Sequence, residues 1–402
     1  MSSNERVLVV GAGPVGMVVA LALTDAGIPV TVLEAGETVC QDMRAPAFHA
    51  PTIDMLEEIG LLDPLLEAAT REPLMRFSDR GLGEQIELDM SVLSRRCRNP
   101  YDMLVGQQWF TAKAYEMLRG RDCEVLFSHV VTGVEQSENQ ATVNAETPNG
   151  PVKFVGPWVI GCDGASSAVR TSQNIEFEGY TWPERFLMIH TTEDFSDEHG
   201  RVNFIADGAN WQLVVRIPFG PKPDDWLFRI VAGVPEGVAD DLVLSPEYLQ
   251  ENLRRLRPEQ AEFPIVKSSI YNVHQRVAKT YRTGRIILVG DAAHINNPMG
   301  GQGLNCGIHD ALNLAKKFKQ VWNDASQDGL LDLYDRQRRI TNWEYIQKIS
   351  VENKARNEEP DLDKRRETID FLKSLENDDD ARFAFLNRWS MGESLDFAEN
   401  IE

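Results

Sequence analysis

The strongest constraint on the fold is a glycine turn close to the N-terminus. Residues 7–10 are apolar, and a G-x-G-x-x-G turn follows at residues 11–16. Apolar spacing then predicts a helix to Ala26, and residues 29–33 predict a second strand that ends at Glu34. Glycine permits the tight turn and the close approach of a pyrophosphate, which the helix N-terminus attracts. The pattern predicts a dinucleotide-binding βαβ unit with Glu34 on the adenosine ribose, without distinguishing FAD from NAD.

A second glycine-rich segment lies far along the chain, at residues 290–305. It follows an apolar strand at 285–289 and leads into helical spacing at 306–321. The segment contains four glycines together with Asp291 and Pro298. Glycines let backbone N–H groups approach a flat ring, and a carboxylate at a strand end accepts hydrogen bonds from ligand hydroxyls. We therefore interpret the segment as a ligand site rather than as a surface turn.

A third motif lies between these two, at residues 158–170. Its apolar strand ends in Asp163-Gly164, and a polar turn then leads to Arg170. In this order the three motifs resemble those of the group A flavoprotein monooxygenases, which are single-component aromatic hydroxylases of the para-hydroxybenzoate hydroxylase type. The resemblance extends over roughly residues 6–339.

The resemblance implies a bound FAD, NADH or NADPH as the electron donor, and dioxygen as a co-substrate. The implied reaction is hydroxylation of a phenol or hydroxypyridine through a flavin hydroperoxide, in aromatic compound catabolism. Carried over by position, the implied cofactor-binding residues are Gly11, Gly13, Pro14, Val15, Gly16, Glu34, Ala35, Arg44, Gln107, Asp163, Asp291, Pro298, Gly301, Gly303, Leu304 and Asn305. Arg44 resembles the arginine that steadies a mobile flavin, and Gln108 is an alternative to Gln107.

The fold class expected from this motif order is α/β. A Rossmann-like FAD-binding fold is interrupted by an inserted, mostly antiparallel β-sheet and followed by a C-terminal helical segment. Short strands separated by Gly, Pro and Asp are predicted at 186–192, 201–206, 211–217, 226–234 and 267–273. Residues 45–70 have helical spacing. We expect an FAD-binding domain at 1–74, 99–176 and 275–345, a substrate domain at 75–98 and 177–274, and the helical segment at 346–402.

The candidate catalytic residues come from the inserted sheet and are His190, Arg216 and Tyr271. Each also has a structural interpretation, as a core histidine, a surface ion-pair partner and a sheet-packing tyrosine. Strand alternation places Arg216 opposite Val215, on one face of its strand. Residues 45–52 depart from the Arg-Thr-x-Glu pattern of several hydroxylases, and no paired-tyrosine relay can be matched. We therefore do not expect para-hydroxybenzoate as the substrate.

Composition narrows the class of protein. The formal net charge of −21 disfavours nucleic acid and anionic membranes as partners. No apolar run approaches the roughly 20 residues of a membrane span, and the N-terminus lacks an apolar signal core. Five scattered cysteines without a C-x-x-C pair indicate no metal site and fit a reducing cytoplasm. A homodimer is compatible with these features, as are two rival functions: a reductase or oxidase of the same superfamily, and a non-catalytic FAD-binding or ligand-sequestering protein.

Overall fold

The structure is a computed structural model, and it describes residues 5–41, 46–222 and 224–402. The strands are β1 (Val7–Val10), β2 (Val30–Leu33), β3 (Ala47–Phe48), β4 (Thr70–Glu72), β5 (Leu74–Asp79), β6 (Glu84–Asp89), β7 (Asp102–Leu104), β8 (Cys123–Leu126), β9 (Val130–Gln136), β10 (Ala141–Thr147), β11 (Gly150–Gly156), β12 (Val159–Gly161), β13 (Phe177–Thr191), β14 (Val202–Ala206), β15 (Gln212–Pro218), β16 (Trp226–Val234), β17 (Lys267–Ala278), β18 (Arg282–Thr283), β19 (Ile286–Leu288) and β20 (His294–Ile295).

The α-helices are α1 (Pro14–Asp25), α2 (Ala50–Glu58), α3 (Leu62–Leu66), α4 (Gln107–Leu118), α5 (Ala168–Ser172), α6 (Ser196–His199), α7 (Asp240–Val243), α8 (Pro246–Arg254), α9 (Gln302–Asn323), α10 (Gly329–Thr341), α11 (Gln347–Glu358), α12 (Leu362–Glu376), α13 (Asp379–Trp389) and α14 (Gly392–Glu399). None of the helices in the described ranges is long and apolar enough to cross a membrane.

The central sheet has the strand order β18-β19-β12-β1-β2-β8. From β19 to β8 its neighbours are parallel, and β18 is antiparallel to β19. Every residue of β1, β2, β12 and β19 is buried, as expected for a parallel sheet covered on both faces. Parallel strands end at the same edge, so the glycine turn after β1, Asp163 after β12 and Asp291 after β19 meet there.

The large sheet has the strand order β20-β17-β13-β16-β15-β14-β5-β6. Its strands alternate between two apolar faces. Phe186 and Val231 face a cluster that includes Met299 and the C-terminal helices α12 and α13. Ile189 and Ile230 face the opposite way, into a cluster with α8. One face of the large sheet therefore points towards the segment 290–305, and the opposite face is covered by α8.

Most of the predicted elements are confirmed, and the differences have physical causes. β16 has the predicted bounds, whereas β13 and β17 are longer because they pair with each other almost to their ends. The helical prediction for 45–70 is wrong at both ends: β3 and β4 flank β7 in a small sheet, and pairing outweighs local propensity there. The sheet β11-β10-β9 was not predicted. The division into domains by residue number remains a prediction.

Candidate active site

The glycine turn after β1 can only be built from glycine at its first and last positions. Gly11 has φ +101°, and a Cβ there would lie 2.5 Å from the Cys162 carbonyl oxygen. A Cβ on Gly16 would lie 2.0 Å from the Gly11 carbonyl oxygen. A Cβ on Gly13, in contrast, would meet no described atom within 4 Å. The turn is thus packed on its protein side and open on the side where a diphosphate would approach the N-terminus of α1.

Glu34, which follows β2, holds this turn in place through hydrogen bonds from its carboxylate. Its Oε2 accepts a hydrogen bond from the Ala12 N–H at 2.6 Å, and its Oε1 accepts one from the Gly36 N–H at 2.8 Å. The residue is half-buried, and the next residue, Ala35, is exposed. The carboxylate therefore lies at the ligand edge of the sheet and also shapes the backbone that forms this edge.

Asp163 and Arg170 join two of the motifs. The Asp163 carboxylate accepts hydrogen bonds from Ser167 Oγ at 2.6 Å and from the Val169 N–H, in the first turn of α5, at 3.1 Å. Burial raises the pKa of Asp163, and these hydrogen bonds oppose the rise. Arg170 Nη1 donates to the Ala292 carbonyl oxygen at 2.9 Å. The segment 158–170 is therefore fixed to the turn that carries Asp291.

A buried ionic network supports the turn that carries the exposed Asp291. Asp310, on α9, accepts hydrogen bonds from the Gly290 N–H at 3.2 Å, from His294 Nε2 at 2.6 Å and from Arg338 Nε at 2.6 Å. Burial acts to lower the pKa of His294, but Cys306 and Asp310 raise it overall. Both ends of the turn, at Gly290 and His294, are thus held by the same carboxylate of Asp310.

The segment from Pro298 to the start of α9 contains two left-handed glycines and leads into a helix N-terminus that no side chain of the described residues caps. Gly300 and Gly301 have φ +96° and +73°, and the Gly301 N–H donates to the Pro298 carbonyl oxygen at 3.0 Å. α9 begins without a side-chain cap, so its first N–H groups are available to a ligand. Asn305 Nδ2 donates to the carbonyl oxygens of Ala47 and Gly301 at 3.0 and 2.7 Å. We call residues 298–301 the flavin loop, because the resemblance implies that the flavin ring lies against this segment.

His49 holds the flavin loop from the side of α2. Its backbone N–H donates to Asn305 Oδ1 at 2.9 Å, and its ring nitrogens lie 3.0 Å from Asp102 Oδ1 and 2.9 Å from the Gly300 carbonyl oxygen. The residue is 2% exposed. This buried contact joins β7, the N-terminus of α2 and the flavin loop.

Gln275 holds the segment before the flavin loop from the side of the large sheet. Its Oε1 accepts hydrogen bonds from Asn297 N and Nδ2 at 3.0 and 3.2 Å and from Trp182 Nε1 at 3.4 Å. Its Nε2 donates to Ser350 Oγ at 2.7 Å and to the Gln347 carbonyl oxygen at 3.1 Å. The side chain is buried and joins β17, the segment before Pro298 and α11.

The face of the large sheet towards the flavin loop carries a buried polar group. His190 and Arg229 are directly paired across β13 and β16, and Arg229 Nε donates to His190 Nε2 at 3.1 Å. Tyr271 pairs with Phe186 one strand away, and their rings lie 5.8 Å apart. Tyr271 and Phe186 belong to the same apolar cluster as Met299 of the flavin loop.

The protonation of this group follows from its burial. Burial, with the charges of Arg229 and Lys267, lowers the pKa of His190 to about 4, so its imidazole is neutral at neutral pH. Burial also raises the pKa of Tyr271, against the effect of Arg229, so its phenol keeps its proton. Burial lowers the pKa of Arg229 to about 10, and the guanidinium stays charged.

Arg216 lies on the opposite face of the large sheet, which corrects its selection as a substrate residue. It pairs with Phe228, a member of the cluster around α8, and its guanidinium lies over the Trp226 ring at 4.5 Å. Alternation along β15 sends Val215 to the face of the flavin loop and Arg216 away from it. The arginine on the face of the flavin loop is Arg229, on the neighbouring strand.

Comparisons with known proteins agree with this geometry. The profile of the "FAD binding domain" family matches residues 4–349. The chain belongs to this family. It is 34% identical over 359 residues to the para-nitrophenol 4-monooxygenase of Pseudomonas sp. (strain WBC-3), covering 88% of this chain and 87% of that protein. It is 32% identical over 362 residues to the 6-hydroxy-3-succinoylpyridine 3-monooxygenase of Pseudomonas putida, covering 88% and 89%.

A solved structure of a relative agrees with the fold of this chain over almost its whole length. The crystal structure of the p-nitrophenol 4-monooxygenase from Pseudomonas putida DLL-E4 superposes with a TM-score of 0.89 at 32% sequence identity, covering 97% of this chain and 99% of that one. Sequence family, fold and motif geometry therefore coincide. The protein is an FAD-dependent aromatic monooxygenase.

The residues of this chain fit an FAD in outline. The open side of the glycine turn accommodates a diphosphate, and the uncapped N-terminus of α9 accommodates a ring with carbonyl oxygens. Val15 packs within 3.1 Å of where a Gly290 Cβ would lie, so it supports the turn after β19. A Cβ on Gly303 would lie 3.4 Å from Asn296 Oδ1, and Leu304 is buried in the core behind the loop.

Three further predicted cofactor residues differ in where the structure places them. Pro14 is the first residue of α1, where its fixed φ suits a helix start. Gln107 is buried at the start of α4, whereas Gln108 Oε1 would lie 2.5 Å from a Cβ on Gly106, folded back over the chain. Gln107 therefore stays the prediction for the cofactor contact, with Gln108 as its alternative. Arg44 lies outside the described residues.

Three residues of the site, His49, Arg229 and Gln275, are not among those predicted from the sequence. Arg229 carried a usable signal, because it interrupts the apolar residues of a predicted buried strand, where a charge needs a partner. His49 lies in a segment assigned only as helical, and Gln275 has no local signal. Their partners are distant in sequence: His49 and Gly300 are 251 positions apart.

Proposed function

We propose that this monooxygenase hydroxylates a small phenol or hydroxypyridine, with electrons from NADH or NADPH and with dioxygen. One oxygen atom enters the ring and the other leaves as water, while the nicotinamide is oxidised. Relatives named as monooxygenases of para-nitrophenol and of a hydroxypyridine support this substrate class. Bound FAD supplies the electron transfer and the activation of dioxygen.

The observation that supports this proposal is the buried charge of Arg229. Its guanidinium is buried, and no carboxylate of a described residue lies within 4.0 Å of its nitrogens. A buried cation without a counter-ion destabilises a fold, so Arg229 is suited to an anionic partner from outside the described residues. A phenolate oxygen has the required charge and size, and the oxygens of an aromatic nitro group carry partial negative charge.

His190 and Tyr271 complete the proposed substrate site. His190 Nε2 accepts from Arg229, so the proton of the neutral imidazole is on Nδ1, which is buried and has no hydrogen-bond partner among the described residues. Tyr271 keeps its phenolic proton. An anionic ring oxygen at Arg229 would thus meet a cation with no competing negative charge on His190 or Tyr271, and a ring bound as phenolate is electron-rich enough for attack by an electrophilic oxygen.

The surroundings of these groups suit a reaction that must exclude water. Phe186 and Trp211 are buried beside Tyr271, and Met299 of the flavin loop packs into the same cluster. An apolar site strengthens the attraction between Arg229 and an anion and prevents loss of the activated oxygen to water.

The test is a screen of 4-nitrophenol, other phenols and hydroxypyridines for stimulated NADH and NADPH oxidation, with ring products quantified. Stimulation with one oxygen incorporated per nicotinamide supports the proposal. Oxygen-independent reduction of a substrate would assign the protein to the reductases, and a flavin that neither nicotinamide reduces with any aromatic present would assign it to the non-catalytic binders.

Arg229→Leu, with Arg216→Leu as the matched control on the opposite face, tests the site. We expect Arg229→Leu to weaken binding of a phenolate about tenfold to a hundredfold, since a hydrogen bond to a charged group contributes about 1.5–3 kcal/mol. We expect its unfolding midpoint not to fall, because the buried charge lacks a counter-ion. Arg216→Leu should leave substrate binding unchanged. Equal substrate affinity in the two variants would remove Arg229 from the site.

A further inference from the structure

The ring of His49 faces an oxygen acceptor at each of its two nitrogens. Nδ1 lies 3.0 Å from the Asp102 carboxylate and Nε2 lies 2.9 Å from the Gly300 carbonyl oxygen. A neutral imidazole has one N–H, so one of the two contacts would set a nitrogen lone pair against an oxygen. Because the side chain is 2% exposed, water cannot relieve that contact. A ring protonated on both nitrogens satisfies both acceptors.

We propose that His49 is a buried imidazolium ion that, paired with Asp102, fixes the carbonyl of Gly300 and thereby the shape of the flavin loop. His49 is a positioning residue in this proposal, since it acts through the loop. The inference concerns the flavin side of the site and is independent of which ring is hydroxylated.

The Gly300 carbonyl is a sensitive point of the flavin loop. Gly300 and Gly301 are both left-handed, and their conformation sets the direction of the first turn of α9. Asn305 holds the same turn through the Gly301 carbonyl oxygen at 2.7 Å. The adjacent carbonyl oxygens of Gly300 and Gly301 thus accept hydrogen bonds from two different side chains. The first N–H groups of α9 remain directed towards the ligand. Without the His49 donor, the peptide between Gly300 and Gly301 loses one of its anchors.

The charged groups around His49 favour its protonated form. Asp102, on β7, is the contacting carboxylate, and Glu72 is its register partner on β4. From α9, His309 interacts electrostatically with His49, and its pKa is lowered to about 3 by burial first and then by positive charges that include His49. Burial acts to lower the pKa of His49 as well, but Asp102 and the Gly300 carbonyl outweigh it and raise the pKa above 6.5.

A raised pKa has a definite consequence for pH dependence. The stabilising contacts of a protonated His49 are complete below the ordinary histidine pKa of about 6.5 and are lost as the pH rises through the higher folded-state value. FAD should therefore be held more weakly at alkaline pH. The positive end of the His49–Asp102 pair lies towards the flavin loop, so it should also favour the electron-rich, reduced state of the bound flavin.

The first experiment is histidine ¹⁵N NMR of the FAD-loaded protein between about pH 6 and pH 9. The chain has seven histidines, and the His49 signals are assigned by their loss in His49→Gln. His199 is an internal reference, because its Nε2 contacts a single carbonyl at 3.2 Å and burial lowers its pKa. We expect His49 to be doubly protonated at neutral pH and His199 to be neutral. A neutral, singly protonated His49 at neutral pH would overturn the proposed charge, including the case in which Asp102 carries the proton.

The second experiment compares His49→Gln and Asp102→Asn with the control His199→Gln on the far face of the large sheet. We expect the FAD dissociation constant to rise about tenfold or more in the first two variants, as for loss of a charge-assisted hydrogen bond. The flavin midpoint potential should fall in both, and the weakening of FAD binding at alkaline pH should disappear. Wild-type FAD affinity and potential in both variants would refute the positioning role, and equal losses in His199→Gln would show a general effect of replacing a buried histidine.

Discussion

Replacing Gln275 by leucine should show how far the segment before the flavin loop depends on one buried amide. Among the described residues, the substitution removes the only acceptor of two buried donors, Asn297 N and Asn297 Nδ2, at 3.0 and 3.2 Å. It also removes the acceptor of the half-buried Trp182 Nε1, at the longer distance of 3.4 Å. Ser350 Oγ keeps a bond to the Gln347 carbonyl oxygen at 3.0 Å, so the α11 side of the network remains partly satisfied. The damage is therefore concentrated on Asn297, which is completely buried and precedes Pro298.

The expected magnitude follows from these two donors. An orphaned buried donor costs about 1–3 kcal/mol, so two cost about 2–6 kcal/mol. Burying a leucine where an amide was returns about 1 kcal/mol. A loss of about 1–5 kcal/mol of unfolding free energy is expected for Gln275→Leu. Because Asn297 Oδ1 also accepts the Met299 N–H at 3.0 Å, FAD affinity should fall with stability.

The assay is urea unfolding of the FAD-loaded protein, with the FAD dissociation constant measured beside it. Gln136→Leu is the matched control: this glutamine also makes several hydrogen bonds, to Gln173, Thr283 and Arg285, but it is exposed. Water replaces its partners, so its change should stay within about 0.5 kcal/mol. A loss for Gln275→Leu no larger than that of Gln136→Leu would refute the reasoning that burial of the Asn297 donors sets the cost.

Three further outcomes are expected. Asp291→Ala should raise the FAD dissociation constant by about tenfold to a hundredfold, as for a lost charged hydrogen bond, and unchanged FAD occupancy on gel filtration would remove Asp291 from the site. The pKa of His190 is lowered to about 4, so the unfolded chain binds the extra proton first as the pH falls below about 6.5; this His190 contribution makes stability fall towards pH 4, and His190→Gln should flatten that part of a pH–unfolding curve. Rapid mixing with NADH or NADPH should show faster flavin reduction when the aromatic substrate is bound, and equal rates would exclude gating by substrate.

The parts of the site that were predictable from sequence are those fixed by local sterics. Gly11 and Gly16 are required because a Cβ at either position would overlap the backbone, and this constraint is visible in a six-residue pattern. Asp163 and Asp291 follow buried apolar runs, and the parallel order of β1, β12 and β19 brings all of these to one edge. Glycine turns and strand ends carry their own geometry, so a single sequence is enough to predict them.

The residues that escaped prediction depend on which faces meet in three dimensions. Arg216 and Arg229 both lie in alternating strands, and alternation assigns each to one of two faces without saying which face the flavin loop covers. The choice depends on the packing of Met299 against Phe186 and Val231, residues from three separate segments. His49 was equally hidden, because the acceptors that define its charge come from β7 and from the flavin loop.

Two buried cations of the proposed site, Arg229 and His49, are placed in opposite electrostatic situations, and this difference matches the two proposed ligands. His49 has its counter-ion within the chain, so the flavin side of the site is electrically complete before any ligand arrives. Arg229 has no carboxylate among the described residues within 4.0 Å, so the proposed substrate side carries a charge that these residues do not compensate. An anionic ring bound there is attracted by the charge of Arg229, which no carboxylate of the described residues neutralises. In an apolar site this attraction is little screened. A chain with a formal net charge of −21 repels a phenolate at long range, so the local cation must supply the affinity at contact. A cofactor that stays and a substrate that exchanges call for this asymmetry.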